Sequence, residues 1–322
     1  MPSFELDTGG GKICFAITVR DSLFVGAAKD DGVVESIHEL KMDEKAKQFK
    51  IKGGQIWRRR SRTPLFERVA LQFQEILRFL NLNKDTIQKA VDTLIEIALD
   101  LSKAEEALLD YVDTENAAVS RYQGATAMNP QKHALVYDDP TLRLKEIAER
   151  ILIRIIIAYR RLPEVISLIR GAAFTTGKTF IPDLANLLPA DHPDRASFEY
   201  DNGWIKELYD LRGDIEHESW EVLPFEVNEA GDRASYHVEP CRVVIKSQGE
   251  KPIAVAAYLD ATLSNMIGFI EDAVALAIVD KMPYPTRIVS VPEAQRPQRR
   301  HFKYVADLLP EVKDKLPNMS QP

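Results

Sequence analysis

Cysteine is scarce in this chain, and its scarcity excludes two classes of protein. The 322 residues include only Cys14 and Cys241, which lie far apart and outside any Cys-x-x-Cys spacing. Neither a disulfide framework nor a cysteine-based zinc site is indicated, so a reducing, cytoplasmic location fits best. The amino terminus lacks the basic stretch and apolar core of a secretory signal, and we therefore expect none.

Long apolar runs and an excess of positive charge are also lacking. The most apolar stretch, Ile151 to Tyr159, contains Arg154 and is far shorter than the roughly 20 residues that a membrane span requires. We therefore predict no membrane partner. The 42 basic and 49 acidic residues give a net charge of −7, so a bound nucleic acid would have to be held by a local basic patch.

The chain does contain the apolar periodicity of helices, and it predicts a mainly α fold, a helical bundle with small β-hairpin additions. We expect a β-containing segment over 1–62, a helical domain over 63–283 with an inserted hairpin at 221–246, and a proline-rich tail over 284–322 with at most one short helix near 304–309. Predicted helices cover 63–80, 85 toward 111, 139 to at least 159 with a bend or end near Pro163, 202–220 and 252–281. Asp85 and Gln88 resemble a capping box for the second of these helices.

A basic segment precedes the helical domain. Between Lys41 and Arg62, nine basic residues face two acidic ones, a local charge of +7. Such a segment can follow an RNA backbone while an aromatic side chain stacks on a base. A solvated linker before the first long helix is an equally open interpretation. The candidate RNA-binding residues are Lys50, Lys52, Trp57, Arg58, Arg59, Arg60 and Arg62.

The stretch LYDLRGDIEHES, residues 208–219, places Arg212 five positions before His217 late in a predicted amphipathic helix. The same spacing recurs at Arg296 and His301, and roughly one Arg-x(4–6)-His match is expected by chance, so the surrounding helices give the first copy its weight. In that context the motif resembles the HEPN superfamily, helical domains that often act as metal-independent ribonucleases.

The resemblance implies that Arg212 and His217 line a cleft formed by two protomers and cleave RNA to a 2′,3′-cyclic phosphate. It further implies a homodimer that needs no metal or cofactor, and it fits a toxin or antiviral defence effector. On an ideal helix, five residues turn about 500°, which points the two side chains roughly 140° apart. We expect them to converge within one protomer only if the helix breaks, and Gly213 permits such a break.

A second function class remains open. Arg212 can pair with Asp210 or Glu216, and the neighbouring carboxylates can form a solvated acidic face. The chain would then be a non-catalytic interaction or scaffold protein in which Arg212 and His217 are structural. No metal site is expected, because His217 has no second histidine four residues away on the helix.

Overall fold

The fold is mainly helical with small antiparallel sheets, as the sequence predicts, in a computed structural model of the protein. The chain divides into two compact units, Met1–Ser102 with Ala158–Phe198 and Ile267–Pro322 (unit 1), and Lys103–Ile157 with Glu199–Met266 (unit 2). The structure describes residues 12–19, 22–28, 34–43, 48–50, 55–58, 64–126, 133–136, 139–177, 179–216, 222–229, 236–244, 252–297 and 301–313.

The helices follow the apolar periodicity of the sequence. They are α1 (Gln72–Leu77), which continues a π-helical turn at Glu67–Leu71, α2 (Lys84–Thr126), α3 (Asp139–Arg170), α4 (Phe180–Ala185), α5 (Arg195–Glu216), α6 (Val255–Ile278), which ends in a 3-10 turn at Val279–Lys281, and α7 (Pro310–Lys313).

Two helix predictions need correction. The capping box is wrong: Asn83 Oδ1 accepts the backbone N–H of Thr86 at 2.7 Å and so caps α2, which leaves Gln88 to donate to Asp92. Of the two alternatives given for Pro163, a bend or an end, the end is wrong, because α3 continues to Arg170. A proline inside a helix costs about 3 kcal/mol, but the apolar neighbours of Pro163 on α3 are fully buried, and their packing outweighs that cost.

The strands form four small antiparallel sheets. Unit 1 contains a five-stranded sheet in which neighbouring strands pair in the order β1 (Lys12–Val19), β2 (Ser22–Ala28), β3 (Val34–Asp43) and β4 (Gln48–Lys50), and β5 (Gln55–Arg58) also pairs with β3. A second sheet of unit 1 consists of β12 (Thr286–Ser290) paired with β13 (Tyr304–Leu308). In unit 2, β6 (His133–Val136) pairs with β8 (Phe225–Glu229) and β8 with β9 (Tyr236–Glu239), while β10 (Arg242–Val244) lies between β7 (Val222–Leu223) and β11 (Pro252–Ala254). The hairpin expected at 221–246 is confirmed as β8–β9, and the expected β-containing amino-terminal segment includes the hairpin β1–β2.

A buried carboxylate organises unit 1. Glu271 on α6 is fully buried; it accepts hydrogen bonds from Arg68 Nε at 3.1 Å and Nη2 at 2.5 Å, and from Gln72 Nε2 at 3.2 Å. The Gln72 side-chain oxygen in turn accepts the backbone N–H groups of Lys303 and Tyr304, both at 3.0 Å. One polar network therefore joins α6, α1 and β13.

This network also explains why the predicted tail is not a separate element. The short helix expected near 304–309 is wrong, since Tyr304–Leu308 is the strand β13. Asp272 accepts Lys303 Nζ at 2.5 Å and the Tyr304 hydroxyl at 2.6 Å, which fixes the start of that strand to α6. The unit boundaries consequently differ from the sequence-based division at residue 283, because residues 267–322 group with unit 1.

Each unit contains edge-to-face contacts between buried aromatic rings. In unit 1, Tyr159 packs against Phe180 at 5.8 Å between ring centroids, and Phe198 against Phe269 at 6.2 Å. In unit 2, Tyr122 of α2 packs against Phe225 of β8 at 5.1 Å between ring centroids. The β6–β8–β9 sheet therefore contacts α2 through this pair.

One helical segment is long and apolar enough to cross a membrane by length and composition alone. This segment, Val255–Lys281, has a window of mean hydropathy 1.5. Within the structure, 67% of that window is buried. Such burial is typical of a core helix.

Replacing Gln72 with alanine should lower the free energy of unfolding by about 2–4 kcal/mol, because two backbone N–H groups lose their acceptor and Glu271 loses a donor. Urea unfolding followed by circular dichroism measures the loss. Gln88→Ala serves as a matched control, since its bond to Asp92 is exposed and its removal should change stability by less than about 0.5 kcal/mol. Equal losses in the two variants would contradict the role given to Gln72.

Candidate functional site

Arg212 lies on the inner face of α5, close to its end. It follows Ile205 by seven residues and Leu208 by four, spacings that place all three on one side of a helix. Ile205 and Leu208 are buried and Arg212 is half-buried, whereas Asp210 is exposed. The surface of α5 that carries Asp210 is therefore not the face that carries Arg212. Arg212 also interacts with other groups of the protein.

The helix break that convergence of Arg212 and His217 within one protomer would require is not found at Gly213. α5 remains helical through Gly213 to Glu216, and a Cβ added at Gly213 would meet no atom within 4 Å. Glycine is therefore not required here by conformation or by close contact. His217 lies outside the described residues, as do the side chains of Asp214 and Glu216. The pairing of Arg212 with His217 stays a prediction.

The two end residues of the second Arg-x4-His copy, in the tail, are joined through their backbones. The backbone N–H of His301 donates to the Arg296 carbonyl at 2.7 Å, and Arg296 Nε donates to the Val291 carbonyl at 3.2 Å. His301 adopts a positive φ of 62°, which is uncommon for a residue other than glycine. This copy consequently offers a matched control for the α5 motif.

Part of the basic segment belongs to the five-stranded sheet of unit 1. Lys50 pairs with Lys41, Trp57 with Ile37 and Arg58 with Ser36 in the antiparallel ladders around β3. These described residues are strand residues, so the solvated-linker interpretation does not hold for them. The other candidate RNA-binding residues, Lys52, Arg59, Arg60 and Arg62, lie outside the described residues.

A shallow groove runs along α2 and α3 in unit 2. A cavity of about 400 Å³ is lined by Asp113, Arg121 and Arg143 among others, and an adjoining one of about 240 Å³ is lined by Arg143 and Arg150 together with two carboxylates. Charges of both signs line the groove, so it has no evident preference for a polyanion. Among all the residues that the structure describes, no group of three or more histidine, cysteine, aspartate or glutamate side chains is placed to hold a metal ion.

A buried carboxyl in unit 2 was not predicted from the sequence. Glu115, in α2, is only 7% exposed; it accepts the hydroxyl of Tyr111 at 3.3 Å and a hydrogen bond from the backbone of Cys241. The sequence did contain a signal for it. Leu108, Tyr111, Ala118 and Tyr122 recur at helical spacing on the same face, so a carboxylate at position 115 interrupts an apolar stripe.

Burial dominates the ionisation of Glu115. Desolvation raises the pKa of its carboxyl from 4.5 to about 7, although the hydrogen bonds from Tyr111 and Cys241 act in the opposite direction. Burial and the nearby carboxyl also raise the pKa of the Tyr111 hydroxyl, so that hydroxyl remains a donor. A carboxyl that titrates near neutrality is a feature that functional sites share with structural clusters.

Among known proteins, the chain matches no family model, no curated protein and no solved structure. Function must consequently be inferred from the residues of the α5 motif and from their chemistry.

The Glu115 carboxyl predicts a pH-dependent stability. The folded state binds this proton more tightly than the unfolded state, so the stabilisation is complete below pH 4.5 and is lost as the pH rises to about 7. The change amounts to about 3 kcal/mol in the free energy of unfolding. Urea unfolding at a series of pH values between 4.5 and 8 measures this change. Glu115→Gln should remove the fall in the free energy of unfolding, while the exposed control Glu164→Gln should keep it. If the free energy of unfolding changed with pH equally in the wild type and in Glu115→Gln, the raised pKa assigned to Glu115 would be contradicted.

Proposed function

We propose that the protein is a homodimeric, HEPN-like RNA endonuclease that needs no metal, in keeping with a toxin or antiviral defence effector. The observation that carries the proposal is the place of Arg212, which lies half-buried on the inner face of α5 and one helical turn before its end at Glu216. This is the position that the resemblance requires for an arginine late in a helical bundle. The mainly α fold agrees with it.

The two side chains have complementary chemistry. The imidazole of His217 accepts the proton of a ribose 2′-hydroxyl, or donates a proton to the leaving 5′-oxygen. The 2′-oxygen attacks the adjacent phosphorus and the bond from phosphorus to the 5′-oxygen breaks, which leaves a 2′,3′-cyclic phosphate and a 5′-hydroxyl. The Arg212 guanidinium matches the geometry of a phosphate and stabilises the negative charge that develops on the phosphoryl oxygens.

The continuity of α5 supports a site shared between two protomers. Because the helix is unbroken through Gly213, residues 212 and 217 on its continued path would point roughly 140° apart. An arginine from one protomer and a histidine from its partner avoid this divergence. The basic segment that includes Lys50, Trp57 and Arg58 would supply phosphate and base contacts to RNA.

The scaffold hypothesis is the second candidate, and one observation favours it. Arg212 is partly buried beside Ile205 and Leu208 and interacts with other groups of the protein, as a structural arginine would. In that case its replacement lowers stability or partner binding and changes no chemistry. Activity and stability must therefore be measured on the same variants.

The purified protein should cleave RNA in the presence of EDTA, and His217→Ala and Arg212→Lys should each lower the rate by about 100-fold or more. Loss of a general acid or base typically costs this much, and lysine lacks the planar fork of arginine that matches phosphate. A gel-based assay on a labelled RNA measures the rates, and circular dichroism establishes that each variant is folded.

The matched controls are Arg296→Lys and His301→Ala, which change the same residue types at the same spacing in the tail. Both should cleave RNA at the wild-type rate. Cleavage that is unchanged in folded variants of Arg212 and His217 would overturn the proposal, as would wild-type protein that leaves RNA intact. Loss of stability in the Arg212 variant without any ribonuclease activity in the wild type would support the scaffold hypothesis.

A further inference from the structure

A small cavity in unit 1, lined by residues of α1 and β13 and by their neighbours, is rich in aromatic side chains. Its volume is about 210 Å³, and Phe79, Phe302 and Tyr304 are among the residues that line it. Phe79 is 50% exposed, whereas Phe302 is buried. Pockets for drug-sized ligands usually measure about 300–1,000 Å³, so this cavity has room only for a small group.

The helical side of this cavity contributes a negative charge. Gln72, Glu75 and Phe79 follow one another at spacings of three and four residues, which places them on one face of α1 and of the turn that closes it. The side-chain amide of Gln72 is already bonded to Glu271 and to the backbone of β13. Glu75 is exposed and lines the same cavity, and it also interacts with another group of the protein. A cation that enters the cavity therefore meets a carboxylate beside aromatic rings.

Further carboxylates act on the ring of Tyr304. Its hydroxyl donates to Asp272 Oδ1 at 2.6 Å, which fixes that end of the side chain. Burial raises the pKa of this hydroxyl, and the negative charges of Asp272, Glu271 and Asp194 act in the same direction. Lys303 Nζ lies 5.5 Å from the centroid of the ring. The Tyr304 ring therefore already attracts one cation, in surroundings that carry negative charge.

Aromatic rings that line a small cavity together with a carboxylate are suited to a methylated ammonium group. The face of an aromatic ring carries partial negative charge and attracts a cation, most strongly when the cation is removed from water. An ammonium without methyl groups is strongly hydrated, so it gives up more on entering such a cavity. Methyl groups reduce that hydration, and they also bury apolar surface against the rings.

We propose that this cavity binds a small molecule that carries a methylated ammonium group, with Phe79, Phe302 and Tyr304 around the cation and Glu75 as its counter-ion. A neutral group of the same shape would gain only from the burial of its apolar surface, and this difference makes the proposal testable. The site uses residues of unit 1 and none of the α5 motif. It therefore goes beyond the proposed ribonuclease activity and does not require it.

Titration of the full-length protein with choline tests the site directly. In nuclear magnetic resonance spectra the choline methyl protons should shift upfield on binding, because they lie against aromatic rings. The alcohol in which a carbon atom replaces the choline nitrogen has the same shape without the charge, and it should bind about 10-fold more weakly. Equal affinities for the two ligands, or no binding of choline, would overturn the proposal.

Two exposed positions offer variants that should keep the fold. Phe79→Leu retains an apolar side chain but removes the ring, and Glu75→Gln removes the charge, so each should weaken choline binding about 5-fold. Tyr200→Leu and Glu164→Gln change an exposed aromatic residue and an exposed glutamate elsewhere, and both should bind choline as the wild type does. Unchanged affinity in folded Phe79→Leu or Glu75→Gln would contradict the site. If either variant fails to fold, the comparison of choline with its uncharged analogue on the wild type still decides.

Discussion

The carboxylate of Glu271 is the strongest constraint on unit 1. Because it is removed from water, the protein must satisfy it, and Arg68 and Gln72 do so. Loss of one partner of a buried ion pair typically costs about 3–5 kcal/mol. Gln72 extends the same network to Lys303 and Tyr304. The network therefore joins Arg68 to Glu271, 203 positions away, and Gln72 to Lys303, 231 positions away.

The sequence predicted those parts of the fold that are encoded locally. The helical spacing of apolar residues in α2, α3 and α6 is visible within a few turns of each helix, and the structure confirms these helices. Elements that depend on distant partners were missed. A helix was predicted in place of β13 because its local sequence does not show which partners it has. The strand pairs with β12, and the backbone N–H of Lys303 just before it donates to Gln72, 231 positions away.

The candidate site was predictable to a similar degree. The amphipathic pattern around Leu208 predicted that Arg212 lies on a helix, and the structure places it half-buried on α5 while Asp210 is exposed. The sequence left a break at Gly213 open, and α5 passes through that residue without one. The contact between Glu115 and Cys241, 126 positions apart, could not be foreseen, although a carboxylate in an apolar stripe marks one of its two partners.

The central claim is that Arg212 and His217 cleave RNA by transfer of the phosphoryl group to the 2′-oxygen. Mass spectrometry of the ends produced from a defined RNA in EDTA tests it most directly. Transfer to the 2′-oxygen predicts fragments that end in a 2′,3′-cyclic phosphate paired with fragments that begin with a 5′-hydroxyl. Fragments with a 3′-hydroxyl and a 5′-phosphate, or an RNA that remains intact, would contradict it.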